Sequence, residues 1–426
     1  MRILITHNNF PAQFRHVAEY LGRSPGNQVV FATKNPRPEW EIPGVRKAIF
    51  SEVGETTRET HPFATSLDTA VRHGASLARL CHELRKQGFV PDVVLGHSGW
   101  GQTLFVKDVF PDTPFVGYFE WYYDARSEEI TFDGRERSVT EKALLRMRNS
   151  AILHDLVACD VGISPTQWQR SRFPREFRDK IVRVHDGINT RYFSPADHSP
   201  LPPSALTLDG VDLTKATELV TYCSRGMEPY RGFPQFYRAL PAILEARPGC
   251  HVLIVGEDRI CYSQPRKDGR TYREALTSEV ELDESRVHFT GPLPYGKYRQ
   301  VLRASNAHVY LTWPFVLSWS LLEAMSCGCL CVASDTSPVR EVIAHERNGL
   351  LTDFRDSEKI AASVVDALER GPDTGPLREN ARRTVLNRFC LTKCLPIHLN
   401  LLDRVVRNNI QLPTPEPATT ATRTAQ

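Results

Sequence analysis

Apolar residues fall in short unbroken runs, separated by polar stretches with helical spacing. Residues 2–6 form the first run, His7-Asn8-Asn9-Phe10-Pro11 reads as the turn after it, and Phe14, Val17, Ala18 and Leu21 follow at the period of an amphipathic helix. Further runs lie at 29–32, 93–96, 115–118, 161–163 and 181–184, and residues 66–87 read as a long helix stopping before Gly88. A second series follows at 219–223, 252–255, 287–290, 309–312, 329–333 and 350–351, with terminal helices over 377–409. Continuous apolar runs with helices between them imply parallel strands covered on both faces. Residues 193–207, rich in proline and serine and without periodicity, read as the joint between the series.

The predicted organisation is α/β: two Rossmann-like, doubly wound domains facing a central cleft. The first spans 1–195, a linker 196–208, the second 209–385, and a C-terminal helix over 386–410 is expected to cross back to the first domain. Residues 411–426 bury almost nothing and are expected to be a disordered tail.

Composition narrows the function classes. With 53 basic against 50 acidic residues and no long basic run, nucleic acid is not an expected partner. No stretch approaches a membrane span, and Met1-Arg2-Ile3-Leu4-Ile5 enters a strand without a signal core, so a cytoplasmic protein is expected. Ten cysteines in such a chain point to reduced thiols. Cys327-x-Cys329-x-Cys331 lacks the second pair of a structural zinc site, so its cysteines are expected to face a core rather than a metal. The turn after the first strand lacks G-x-G-x-x-G, which disfavours nicotinamide and flavin chemistry.

Residues 311–335 carry the strongest chemical signal. A strand ends in a loop that feeds a short helix beginning near Ser320 and ending at Cys327-Gly328. The free N–H groups of a helix start make an anion seat. Ser320-x-x-Glu323 also fits a capping box, in which the two side chains only satisfy each other's backbone. Upstream, Arg225 and Arg231 flank a glycine-containing turn at a strand end, and guanidinium groups grip phosphate oxygens in pairs.

Taken in order, Arg225…Arg231, Gly256-Glu257-Asp258, 287–291 (VHFTG), 322–328 (LEAMSCG), 341–343 with 348–351, and 184–193 (VHDGINTRYF) resemble the retaining glycosyltransferases of family 4, which have the GT-B fold. The opening 7–15 (HNNFPAQFR), with 119–123, is similar to a bacterial subgroup of that family. The resemblance covers about residues 1–405. It implies a retaining hexosyltransferase that moves a sugar from a UDP- or GDP-linked donor, and two arginine cations able to replace a metal at the diphosphate lead to the expectation that no metal or cofactor is needed. The implied acceptor is a glycan, a glycolipid or another lipid-linked molecule, in surface polysaccharide or glycoconjugate synthesis.

The resemblance puts the donor diphosphate on Arg225 and Arg231, the nucleotide ribose on Glu323, and the rest of the donor along Ser318, Trp319, Ser320, Leu321, Leu322, Gly256, Glu257 and Pro292. Phe315 stands where the family has a glutamate for the sugar hydroxyls, a departure that leaves sugar recognition to other groups. His97 matches a histidine near the sugar, Glu120 is a candidate on the acceptor side, and Phe10, Pro11, Ala12 and Gln13 form an acceptor-side loop. Residues 168–178 interleave aromatic and basic residues, which suggests peripheral contact with the inner face of a membrane. Two other functions fit the same scaffold: a non-catalytic nucleotide-sugar binder and a GT-B sugar-nucleotide epimerase.

Overall fold

The computed structural model describes residues 1–51, 54, 57, 59–197 and 200–408. The expected tail at 411–426 lies outside them, as do parts of the expected linker and the end of the last helix. Two compact units emerge. One comprises Met1–Tyr123, Val139–Val184 and the chain from Ile397, and the other Asp124–Ser138 and His185–Pro396. The first unit is thus not the continuous 1–195 of the sequence reading, because residues 124–138 pack with the second. There the Trp313 indole N–H donates to the Glu129 carbonyl at 2.6 Å, and the Phe132 ring lies 4.8 Å from that of Trp313.

The first unit holds an all-parallel sheet of seven strands: β1 (Arg2–Thr6), β2 (Gln28–Thr33), β3 (Val45–Ile49), β4 (Val93–Ser98), β5 (Phe115–Phe119), β6 (Val161–Ser164) and β7 (Ile181–Arg183). Their order is β3-β2-β1-β4-β5-β6-β7. Ile3, Leu4 and Ile5 are wholly buried, as continuous apolar runs require of strands covered on both faces. The sequence reading missed β3, an edge strand in which only Ala48 is buried, so no apolar run marks it.

Across β4, β5 and β6 the register aligns Gly96, Gly117 and Gly162. A Cβ at Gly117 or Gly162 would meet the Phe119 ring at 2.7 or 2.9 Å, and one at Gly96 would meet Thr103 Cγ2 at 2.4 Å. The bare Gly96 lets Thr103, in the loop after β4, rest on the sheet, while Gly117 and Gly162 make room for the Phe119 ring.

The second unit has a parallel sheet of six strands: β8 (Glu218–Gly226), β9 (Cys250–Glu257), β10 (Val287–Gly291), β11 (Ala307–Tyr310), β12 (Cys331–Ser334) and β13 (Leu350–Thr352). Their order is β10-β9-β8-β11-β12-β13. Cys327, Cys329 and Cys331 share one buried core cluster, and burial pushes the Cys331 thiol up to about 12. All ten cysteines are free. The final helix begins at Leu391 rather than 386. Ile188 interrupts the run: its N–H donates to the Phe389 carbonyl (2.7 Å) and its carbonyl accepts the Leu391 N–H (2.8 Å).

Candidate active site

At the carboxyl edge of the second sheet, one pocket is lined by Tyr222, Ser224, Arg225, Arg231, Tyr262, Tyr310, Ser318 and Ser320, among others. The two arginines differ in kind. Arg225, at the end of β8, is exposed and makes no hydrogen bond or ion pair among the described residues. Arg231 is only 7% exposed, and its Nη1 donates to Thr312 Oγ1 (2.8 Å) and to the Val316 carbonyl (3.1 Å). Burial alone would push its pKa down. The Tyr310 and Tyr262 side chains and Glu228 more than offset that, so it lies above the ordinary arginine value.

The helix Trp319–Ser326 opens onto this pocket. Its cap is Ser318, whose Oγ accepts the Ser320 N–H at 3.3 Å, while the Ser318 N–H donates to Tyr310 Oη at 2.8 Å. The helix stops because Gly328 takes φ +76°, with Gly328 N–H donating to Met325 O and Cys329 N–H to Ala324 O. That is a Schellman ending.

The Ser320–Glu323 capping box does not form. Glu323 lies a turn further in, where its Oε2 accepts the Tyr298 hydroxyl at 3.0 Å. Burial, then the adjacent carboxylate, hold the Tyr298 phenol well above its usual pKa, so it remains a donor. Glu323 is 7% exposed and sits beside the pocket lining rather than on it.

Phe315 belongs to an aromatic group. Its ring lies 5.5 Å from Tyr230 and 5.1 Å from Tyr262, and Tyr230 stacks on Trp313 at 5.4 Å and 13°. The Tyr230 hydroxyl donates to Glu129 Oε1 at 3.1 Å.

In the first unit, His97 lies near the end of β4 and is 2% exposed. Its ring stacks between Trp100 (4.5 Å, 27°) and Tyr118 (5.4 Å, 28°), and neither ring nitrogen has a hydrogen-bond partner. Nε2 lies 3.5 Å from Glu120 Oε2, while Gln13 Nε2 donates to Glu120 Oε1 at 3.1 Å. Trp100 keeps 37% of its surface exposed, unusual for so large a ring. Beneath the 97–103 loop, buried Asp155 accepts the Ser98 hydroxyl at 2.7 Å and the Thr103 hydroxyl at 2.5 Å. Burial pushes its carboxyl up to about 6 against the pull of both donors.

Residues 25–193 match the model described as glycosyl transferase family 4 group, and residues 211–384 the model for glycosyl transferases group 1. The chain matches glycosyltransferase models in both halves and has the GT-B fold. It is 28% identical over 202 residues to alpha-maltose-1-phosphate synthase of Mycolicibacterium smegmatis, covering 46% of this chain and 48% of that one. The chain spans about half the length, or less, of the curated relatives it matches. Among solved structures, sucrose-phosphate synthase from Thermosynechococcus elongatus superposes with a TM-score of 0.72 at 18% identity, over 96% of this chain and 100% of that chain. Anabaena HepE in complex with UDP-glucose superposes with a TM-score of 0.69 at 17% identity, over 95% and 99%. At these identities the solved structures establish the fold of this GT-B chain.

Several residues expected at the site are not among the pocket lining. Leu321 and Leu322 are fully buried in the core, and Trp319 donates its indole N–H to Asp186 Oδ2 at 2.8 Å. Phe10 is buried, edge-on to Phe31 at 4.9 Å with Lys47 over its ring, and Pro11 is buried beside it. Of the acceptor-side loop, Gln13 alone reaches Glu120, and Ala12, with φ +44°, serves the turn. Gly256 is required where β9 presses on β8, since a Cβ there would stand 1.9 Å from the Ser224 carbonyl. Glu257 pairs with Arg259, and Pro292 is exposed after β10, away from the pocket lining.

The basic residues of 168–178 are largely turned inward. Arg170 donates to the carbonyls of Ile181 and Arg178, Arg178 to those of Phe173 and Ser171, and Arg172 lies over Trp168. Among the described residues, no helix is long and apolar enough to cross a membrane, and no cluster of three or more His, Cys, Asp or Glu is placed to hold a metal. Sequence reasoning missed Tyr298, Tyr262, Glu228 and Asp155. Each acts through partners that no local spacing marks.

Proposed function

We propose that this chain transfers a hexose-type sugar from a UDP- or GDP-linked donor to a saccharide acceptor, with retention at the anomeric carbon, in surface polysaccharide or glycoconjugate synthesis. One observation carries the reading: Arg225 and Arg231 line a single pocket with Ser318 and Ser320 at the start of a helix. Breaking the anomeric C–O bond leaves an oxocarbenium-like carbon and a nucleoside diphosphate carrying new negative charge. Two guanidinium groups and the amide-rich helix start stabilise that charge as preorganised donors. Fixed cations at this position do the work a divalent ion does elsewhere, so turnover needs none.

The buried Arg231, held by Thr312 and Val316, is the rigid element. Arg225, exposed and lining the same pocket, takes the second phosphate. Glu323, oriented by Tyr298, takes the ribose hydroxyls. Phe315, Tyr230 and Tyr262 offer ring faces in place of a carboxylate for the donor sugar. HepE, which shares this fold, forms a complex with UDP-glucose, which makes that nucleotide sugar the first donor to try. Trp100 supports a saccharide acceptor: an exposed ring stacked on His97, which itself lies 3.5 Å from Glu120, suits the apolar face of a sugar, with Glu120 taking a hydroxyl. In a retaining transfer on the leaving-group face, the acceptor proton passes to a phosphate oxygen, and no protein nucleophile is needed.

A panel of nucleotide sugars, each with mono- and oligosaccharide acceptors, tests this by nucleoside diphosphate release and by NMR of the new linkage. Release with retained configuration is expected. Saturable donor binding without release would identify a binder, and an isomerised nucleotide sugar an epimerase; either overturns the proposal.

A further inference from the structure

Glu228 is fully buried, and the chemistry above does not use it. Its Oε2 accepts three consecutive backbone N–H groups, from Cys261 (3.0 Å), Tyr262 (2.8 Å) and Ser263 (2.8 Å). Its Oε1 has no hydrogen-bond partner. The Ser263 hydroxyl accepts the Tyr230 N–H at 3.1 Å, a second tie on the same loop. Successive N–H groups converging on one point form an anion nest. Here the nest is filled from within the protein, so it holds a loop and not a ligand.

A carboxylate in a dry interior is costly unless strongly compensated. Holding a surface loop would not by itself call for one, since neutral side chains can accept N–H bonds. What the loop carries gives the cost a purpose. The loop between β9 and the helix Tyr272–Glu279 brings Tyr262 into the pocket lining, with its ring 5.1 Å from the Arg231 guanidinium and 5.1 Å from the Phe315 ring. Glu228 also lies near enough to Arg231 to favour its charged form. Arg231 is therefore bounded by Thr312 and Val316 at its Nη1 and by Tyr262 across its face. Remove the clamp on 261–263 and only one of those walls remains.

We propose that Glu228 is a positioning residue for the donor phosphates: by pinning 261–263 it sets Tyr262 against Arg231 and presents that guanidinium, already ordered, to a nucleoside diphosphate. The inference rests on reading the pocket as a diphosphate site. Ordering the walls before the ligand arrives removes part of the entropic cost of binding.

The test is a mutant cycle read by calorimetric binding of UDP and GDP and by thermal unfolding without ligand. Glu228→Gln keeps the shape but removes the charge and puts an NH2 group among three donors. It should weaken binding by about 10-fold or more, the scale of one charge-assisted hydrogen bond. Tyr262→Ala, at a part-exposed residue, should weaken binding similarly with little change in melting temperature. In the double variant the binding losses should not add, because both remove one wall, while the drop in melting temperature from Glu228→Gln should persist. Should Glu228→Gln not fold, Glu228→Asp keeps the charge with a shorter reach, and its smaller loss should likewise vanish in the Tyr262→Ala background.

Binding unchanged in the Glu228 variants, or losses that add in full, would reduce Glu228 to a stabilising residue and overturn the proposal. If the wild-type chain bound neither nucleotide, the diphosphate reading itself would fail, and this inference with it.

Discussion

The Tyr298 hydroxyl donates to Glu323 Oε2 across 3.0 Å, joining the helix Tyr295–Ala304 to the helix Trp319–Ser326 beside the pocket. A carboxylate so held cannot swing back to cap its own helix. It is aimed before any ligand arrives. Tyr298→Phe should raise the donor KM by roughly 3- to 10-fold, the worth of one net hydrogen bond, with little change in kcat. Glu323→Ala should cost more, on the order of 10- to 150-fold in kcat/KM. Steady-state kinetics over a donor series checks both, and equal losses in the two variants would break the link.

Arg225 and Arg231 should separate by stability. Arg225 is exposed and unpaired among the described residues, so Arg225→Ala should lower kcat/KM by about 10- to 150-fold and leave unfolding within roughly 0.5 kcal/mol of wild type. Arg231→Ala strips partners from Thr312 and Val316 in a buried setting, and should cost roughly 1–3 kcal/mol of stability besides activity. Paired urea melts and kinetics measure the split.

Asp155 predicts a pH dependence. Its folded pKa is raised from 3.8 to about 6, so between those values the folded chain holds a proton that the unfolded chain has lost. Its contribution to stability is full below about pH 4 and lost as pH rises through about 6. The change attributable to it is roughly 3 kcal/mol, and Asp155→Asn should remove it. Denaturant melts of both proteins from about pH 4 to about pH 7 give the difference, and parallel curves would exclude Asp155 as the source.

Turnover should survive EDTA undiminished, since the pocket supplies its own cations in Arg225 and Arg231. Loss of activity in EDTA with recovery in magnesium would show that a divalent ion carries part of the phosphate charge.

Much of the fold was legible because its signal is local. Unbroken apolar runs such as 3–5 and 252–255 mark strands buried on both faces, while β3, with its polar alternation, left no mark. Arg225, Arg231 and the helix after Ser318 were legible because strand ends and helix starts announce themselves in sequence. Roles assigned to neighbours by proximity in the chain were less secure. Phe10 and Leu322 stand next to candidate residues and yet face the core.

The amino-acid order alone determined the two parallel sheets and the pairing of basic residues with a helix start, since both follow from runs and spacings of a few residues. Which carboxylate aims and which clamps was decided only in three dimensions. Glu323 answers to Tyr298, Glu228 to the backbone of 261–263, and Asp155 to Ser98 and Thr103. These partners lie 25 to 57 positions apart, and a buried charge takes its role from whatever donors the packing brings to it.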